Sequence, residues 1–577
     1  MTISEKEQKA LDLIEDQIGE SLLEISQLER YSFGYYEHEQ HITGLSLYSC
    51  KLSTIPKEIG SLSSLKHIYL RGNNLNTISE ELCSLSSLEV LDLSENRLTR
   101  LSESIDSLTT LKELHLESNH LKNLPESVGS LTSLETLDLS ENELENIPTS
   151  LGKMLKLQTL DLSGNYIEEL PKSIGELTSL EILYLGNNKL NSLPESISQL
   201  ISLKRLNLRN NKITRLPETF GNFSSLTSLF LKGNNLETLP DSIGELNNLI
   251  YLGLTSNKIK SLPETIGSLN SLENLSLSSN NLINLPESIG GLKSLLRLEL
   301  SNNQLTYFPE SIGNLSSLQI LRCDHNKLIN LPESIGNLNK LENLKLEINN
   351  LSQLPESIGL LKSLKELNLY DNRIKALPAS FGLLSSLEIL DLSKNELKNL
   401  PESIGSLESL LELDISTNKL TNIPSSIGSL PVIKTLILGF NRLDDIPKSI
   451  GFLTTLEVLD LGKNHIRYLP ESIGALTSLK HLYLYYNELS EVPESIGSLQ
   501  SLKYLYLGNN KLSSLPGSIG FLKSLKYLFL RTNYLSELPE SLESLPSLQY
   551  LNLEKNNLKS YLDFLHKLEV RGIKIFK

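Results

Sequence analysis

Along the chain, apolar residues return in one fixed order, LxxLxLxxNxLxxLPxSIGxLxS, a unit of 23 residues repeated 23 times from position 42 without insertion or deletion. Residues 479–501 read LKHLYLYYNELSEVPESIGSLQS, and residues 502–524 read LKYLYLGNNKLSSLPGSIGFLKS. Within a unit the fourth and sixth positions are apolar between polar neighbours, the period-2 signature of a half-buried strand. In the unit starting at Leu65, Ile68 and Leu70 point inward while His67, Tyr69 and Arg71 point outward. Because the alternation returns with every unit, the strands are predicted to stack in parallel and in register. Each coil then buries its leucines only against its neighbours.

The ninth position is Asn in 22 successive units, from Asn73 to Asn556, and Cys50 in the first. A side-chain amide carries both donors and an acceptor, so this column reads as a buried ladder that satisfies backbone groups at the bend. The remainder, LPxSIGxL, returns the chain along the outer side. Pro stands there in 20 of the 23 units, replaced by Ser79, Ser102 and Leu562. It fixes the backbone and removes an N–H. The Ile-Gly pair reads as one buried side chain followed by a sharp turn. Outer segments bulkier than strands spaced ~4.8 Å apart make the stack curve, strands inward. The expected fold is an α/β solenoid, a horseshoe with a concave parallel sheet, outer loop and 3-10 segments, and a helical N-terminal cap.

Three parts are expected: a helical cap over 1–41, the repeats over 42–558, and a C-terminal cap over 559–577. Ser4 to Glu7 reads as a capping box, and Leu11, Ile14 and Ile18 share one stripe of the helix that follows. At the other end a short helix about Tyr561 to Leu568 should precede a strand burying Ile573 and Ile575.

Composition narrows the class. With 53 Lys and Arg against 69 Asp and Glu, the net charge is −16, which opposes nucleic acid or an anionic membrane as main partner. Cys50, Cys83 and Cys323 stand at inward or descending positions, and neither end carries a cysteine cluster that would form a disulfide-stapled cap. The first 23 residues are charged and lack a long apolar run, so neither a signal peptide nor a membrane span is read there. The expected setting is cytoplasmic, and the expected state a monomer.

The segment LPxSIGxLxxLxxLxLxxNxL resembles the intracellular Ras-group class of leucine-rich repeat proteins, which includes Shoc-type and Ras-suppressor scaffolds and the repeat regions of Roco proteins. The resemblance covers residues 42–558. It implies protein binding through the concave face, in several members to a small GTPase or a phosphatase. The chain departs from the plant members in having no Trp, so their Trp-containing motif after the repeats is absent.

Since the repeat dictates the core, outward strand positions are free to specify a partner. The last four units gather Tyr483, Tyr485, Tyr486, Tyr504, Tyr506, Tyr527, Tyr550 and Phe529, with Lys480, Lys503 and Lys526 in one file and His481 and Arg531 beside them. Exposed aromatics with Arg are the material of binding hot spots, although Tyr also suits a half-exposed strand. A smaller zone of the same chemistry holds Tyr184, Arg205, Asn207, Arg209, Phe230, Lys232 and Tyr251. An acidic stretch (Glu89, Asp92, Glu95, Glu113, Glu117, Glu135, Asp138, Glu141 and Asp161, with His115) reads as a solvated face. Outward truncations such as Tyr483→Ala or Tyr506→Ala should leave melting unchanged, and Glu333, on the outer segment, should be inert.

No phosphate loop, metal-spaced Cys or His pair, or GxSxG elbow is present. The chain is therefore expected to be a non-enzymatic scaffold without cofactor or metal, binding a folded protein on its concave face. Two other classes compete: a single-stranded nucleic-acid binder that stacks bases on the C-terminal Tyr/Lys zone, and a surface or host-directed adhesion protein.

Overall fold

The typical repeat folds as one coil, a strand of three residues, a bend at Asn, and a 3-10 turn of five residues after Pro, as in His481–Tyr483 and Glu494–Ser498; the second repeat has a short α-helix, Glu80–Cys83, in place of the 3-10 turn. The computed structural model describes residues 3–559 and 562–577, in two compact units, Met1–Asn281 and Leu282–Lys577.

The first unit opens with helix α1 (Glu5–Ile18). Ser4 Oγ accepts the Glu7 N–H at 3.3 Å and the Glu7 carboxylate accepts the Ser4 N–H at 3.1 Å, the reciprocal capping box. Ala10, Leu11 and Ile14 are buried beneath the helix and Ile18 is half-buried. The cap is more than a helix. Strand β1 (Phe33–His38) pairs antiparallel with β2 (His41–Leu47), the first strand of the repeats. From β2 the sheet continues in parallel register, Leu45 beside Ile68 and Ile68 beside Leu91, up to Asn274–Ser276.

The second unit carries the same parallel ladder from Arg297–Glu299 to Tyr550–Asn552. A helix over Leu562–Val570 and a strand over Lys574–Phe576, parallel to Tyr550–Asn552, close it. Ile573 is buried and Ile575 half-buried; the expected helix start at Tyr561 lies outside the described residues. The middle residue of each repeat strand, such as Leu482, Leu505 and Leu528, is fully buried.

The Asn column is the ladder the sequence implies. Asn73 Oδ1 accepts the Leu52 N–H at 2.9 Å, while Nδ2 donates to the carbonyls of Leu47 at 2.8 Å and Leu70 at 2.9 Å. Leu47 and Leu52 belong to the preceding coil, so every Asn ties its own coil to the one before. This accounts for Cys50. No repeat precedes it, so an amide there would lack the preceding-coil N–H and carbonyl that the other Asn side chains serve.

The residue just before each Asn is left-handed, with φ near +55° where it is not Gly and near +70° where it is. Gly fills this place at 72, 164 and 233, and Asn at 187, 210, 302 and 509; Ile348 holds φ 53° with a β-branched side chain, a conformation that costs roughly 1–2 kcal/mol. Ile348→Asn is therefore expected to stabilise the chain by about 1 kcal/mol. An unchanged or lower urea midpoint would show that no strain is stored there.

The outer segments have their own logic. The Pro carbonyl accepts the first 3-10 bond, as from Ile335 N–H to Pro332 at 3.1 Å. In the two repeats where Ser replaces Pro, it takes over as a cap: Ser79 Oγ accepts the Leu82 N–H and Ser102 Oγ the Ser104 N–H, both at 3.2 Å. Glu333 is not inert, since its carboxylate accepts the Ser357 N–H of the next coil at 3.2 Å, as Glu356 does for Ser380 at 3.1 Å. Nor do the Gly of SIG serve a sharp turn. None of them has positive φ, and they instead lie against the backbone carbonyl of the next coil, that of Ser357 at Gly336 and of Thr265 at Gly244.

Candidate functional site

The in-register strands of the last four repeats bring the predicted aromatics together in two files. His481, Tyr504 and Tyr527 stack with centroids 4.5 and 4.7 Å apart and planes within 8°, and Tyr550 continues the file at 6.0 Å. Tyr483, Tyr506 and Phe529 stack at 4.8 and 4.3 Å, and Phe529 meets Tyr550 at 5.0 Å. Phe576 of the closing strand covers Tyr550 at 4.9 Å. The strand spacing sets this geometry: identical positions on neighbouring strands lie about one ring thickness plus a little more apart. Most rings are thus half-buried, with faces covered by neighbours and edges and hydroxyls outward.

Burial, with help from the Asp460 carboxylate, holds the Tyr483 and Tyr485 phenols above their ordinary range; burial beside Tyr483 does the same for Tyr506. Burial, then the Lys503 and Lys480 ammonium groups, lowers the His481 imidazole. Tyr485 lies against Gly462, where any Cβ would collide with its ring. Tyr486 is the most exposed of the predicted tyrosines at 53%.

The charges around the rings are unequal. Lys480 pairs with Glu457 at 2.5 Å and Arg531 with Glu554 at 3.4 Å. Among the described residues, Lys503 and Lys526 form no ion pair. The sequence reading missed a third file at the left-handed position: Lys463 Nζ lies 4.4 Å from the Phe440 ring centroid and 5.4 Å from that of Tyr486. The signal was available, because these three residues stand 23 positions apart in succession.

In the first unit the smaller zone is a cation–π cluster. The guanidinium groups of Arg205 and Arg209 sit 5.3 and 4.4 Å from the Phe230 ring centroid, and Tyr251 stacks on Phe230 at 4.8 Å. Tyr184, at the end of the neighbouring strand Ile182–Tyr184, and the exposed Lys232 stand outside it.

The acidic stretch is not a uniformly solvated face. Asp92 is fully buried and paired with Arg30 of the cap. Arg71 pairs with Glu95 at 2.5 Å and Glu117 at 2.9 Å, and those carboxylates raise its already high pKa against the opposing effect of burial. Leu28 lies against Gly44, and Ser46 Oγ donates to the Ser32 carbonyl. The cap therefore lies over the outward side of the first strands. Asp138 and Asp161 are register neighbours, and each accepts the N–H two residues on, Ser140 at 3.0 Å and Ser163 at 2.8 Å. These Asx turns lead into the left-handed residue and explain why Asp recurs in LDLS. Burial, aided by Asp138, pushes the Asp161 carboxyl up despite its bonds to Ser163.

No helix among the described residues is long and apolar enough to cross a membrane. A family profile described as leucine-rich repeat region matches residues 40–147, 145–231, 195–281, 241–348, 333–418 and 425–503, and a second leucine-rich repeat profile matches 489–535 and 500–558. A comparison with curated proteins gives no match. Among solved structures, the chain is 29% identical to a plant peptide hormone receptor, RGFR1, in complex with RGF2, covering 92% of this chain and 90% of that one with a TM-score of 0.63. It is 28% identical to the Arabidopsis receptor kinase HAESA in complex with the peptide hormone IDA and the co-receptor SERK1, covering 99% and 95% with a TM-score of 0.62. A leucine-rich repeat protein of Leptospira interrogans is 33% identical, covering 79% of this chain and 99% of that one with a TM-score of 0.53.

Proposed function

The chain belongs to the leucine-rich repeat family, and on that premise we propose that it is a non-enzymatic scaffold that binds a folded protein through the outward strand face of its last four repeats. The observation that carries this reading is the local concentration of aromatic edges and hydroxyls around two unpaired ammonium groups, Lys503 and Lys526. Hot spots are enriched in such residues. RGFR1 and HAESA hold peptide or protein ligands, which supports a protein partner here. The resemblance of the LPxSIG repeats to the intracellular Ras-group class makes a small GTPase the first partner to test, in a reducing, cytoplasmic setting that suits three free thiols. Base stacking would require open ring faces, and the neighbouring rings cover most of them.

The test is affinity capture from native extract, identification by mass spectrometry, and titration of the recovered partner. Tyr486→Ala should weaken binding by about 2 kcal/mol and leave melting unchanged. Tyr506→Ala should weaken binding too, yet it should also lower stability by about 1 kcal/mol, because it breaks two ring stacks. A partner bound equally by both variants would mean that another surface binds.

A further inference from the structure

Beside the strands, positions ten and twelve of neighbouring coils line a groove just past the Asn ladder. In the second unit it opens into a cavity of about 580 Å³ bearing the side chains of Lys327, Arg373 and Lys375, with Thr306, Asn350 and Ser352 as neutral donors. Its floor is held in place by backbone bonds between successive coils, from Ile329 N–H to Thr306 at 3.2 Å, Ser352 to Ile329 at 3.3 Å, and Lys375 to Ser352 at 3.3 Å.

The charge of this groove is in excess: Lys327, Arg373 and Lys375 face one carboxylate, Glu396, which Lys419 first and then Lys375 and Arg373 hold below its ordinary range. Its one carboxylate, Glu396, is engaged by Lys419 at 2.8 Å, and Lys327 donates to the neutral Gln304 amide at 3.3 Å. Among the described residues, Arg373 and Lys375 form no ion pair. Three cations around one carboxylate that a fourth cation already engages are notable in a chain whose net charge is −16. The repeat itself does not demand them. The corresponding groove of the first unit, about 550 Å³, is lined instead by Glu145, Glu168 and Glu169 with the single cation Lys189.

We propose that the groove of the second unit binds a phosphate group. A phosphate offers two negative charges and several acceptor oxygens to a guanidinium fork, two ammonium groups and neighbouring hydroxyls. A carboxylate would neutralise only one of the three cations. The shared chemistry is a phosphate ester, supplied either by a phosphorylated side chain lying along the groove or by a small free phosphate compound.

The test is calorimetric titration of the full chain, at fixed ionic strength, with a serine peptide, its phosphoserine form, and pyrophosphate. The phosphoserine peptide should bind and the unmodified peptide should not. Affinity should fall at least tenfold in Arg373→Gln/Lys375→Gln and stay unchanged in Lys189→Gln. Binding of pyrophosphate alone, lost in the double variant, assigns the site to free phosphates. No binding of either probe, or equal binding by the double variant, overturns the proposal. Both substituted side chains are exposed, so the variant should melt as the parent does.

Discussion

Replacing Asn395 by Ala is expected to destabilise the second unit by about 3 kcal/mol. Asn395 is 7% exposed. Its Oδ1 accepts the Ile374 N–H at 2.9 Å, and its Nδ2 donates to the carbonyls of Leu369 at 2.9 Å and Leu392 at 3.1 Å. Truncation leaves the Ile374 N–H buried without a partner and takes one of two amide donors from each carbonyl, Leu369 keeping Asn372 and Leu392 keeping Asn418; the loss of one donor or acceptor costs roughly 1–3 kcal/mol. Asn395→Asp should be worse, because it turns the donating amide into an oxygen facing two carbonyls and buries a charge. Hydrogen exchange is the informative measurement, since a solenoid opens locally and its coils interact only with neighbours. Protection should fall first at Ile374 and the coils on either side. A midpoint within error of the parent, with exchange unchanged at Ile374, would refute the ladder as a source of stability.

How far the sequence could be read follows from the range of the interactions involved. Whatever repeats with the period was legible: the strands, the buried leucines, the Asn column and the outer turns all restate one local rule. The aromatic zone was legible as a set of residues, because positions 23 apart become neighbours. Its consequence was not. That the rings would cover one another follows from strand spacing and side-chain rotamers, which change an open apolar patch into a row of edges and hydroxyls. Arg30 was invisible for a different reason. It lies outside the repeat, and its approach to Asp92, 62 positions away, depends on how the cap folds over the first strands. The left-handed residue before each Asn escaped notice because the chain rarely marks it with Gly. The Asn ladder and the coil geometry impose that conformation on Ile348 and Tyr486 alike.

The second large effect is expected at the outer glycines, where the same residue type can be indispensable or idle. A Cβ built on Gly336 would lie 2.5 Å from the Ser357 carbonyl oxygen and 2.8 Å from the Ser357 Cβ. Neither can yield easily, because the Ser357 N–H is bonded to Glu333 and the two 3-10 turns are packed together. Gly336→Ala should therefore cost about 2–3 kcal/mol through overpacking, although Ala normally gains from reduced freedom of the unfolded chain. Gly517 is the internal control. It begins its 3-10 turn after Pro516, has no positive φ, and an added Cβ there would meet nothing within 4 Å. Gly517→Ala should be neutral or stabilising by about 0.5 kcal/mol. Urea denaturation of the two variants side by side separates close approach from conformational freedom, since only close approach distinguishes the sites. If both glycines tolerate Ala equally, the coils are not held at contact distance along their outer edge, and the Gly of SIG must serve some other constraint.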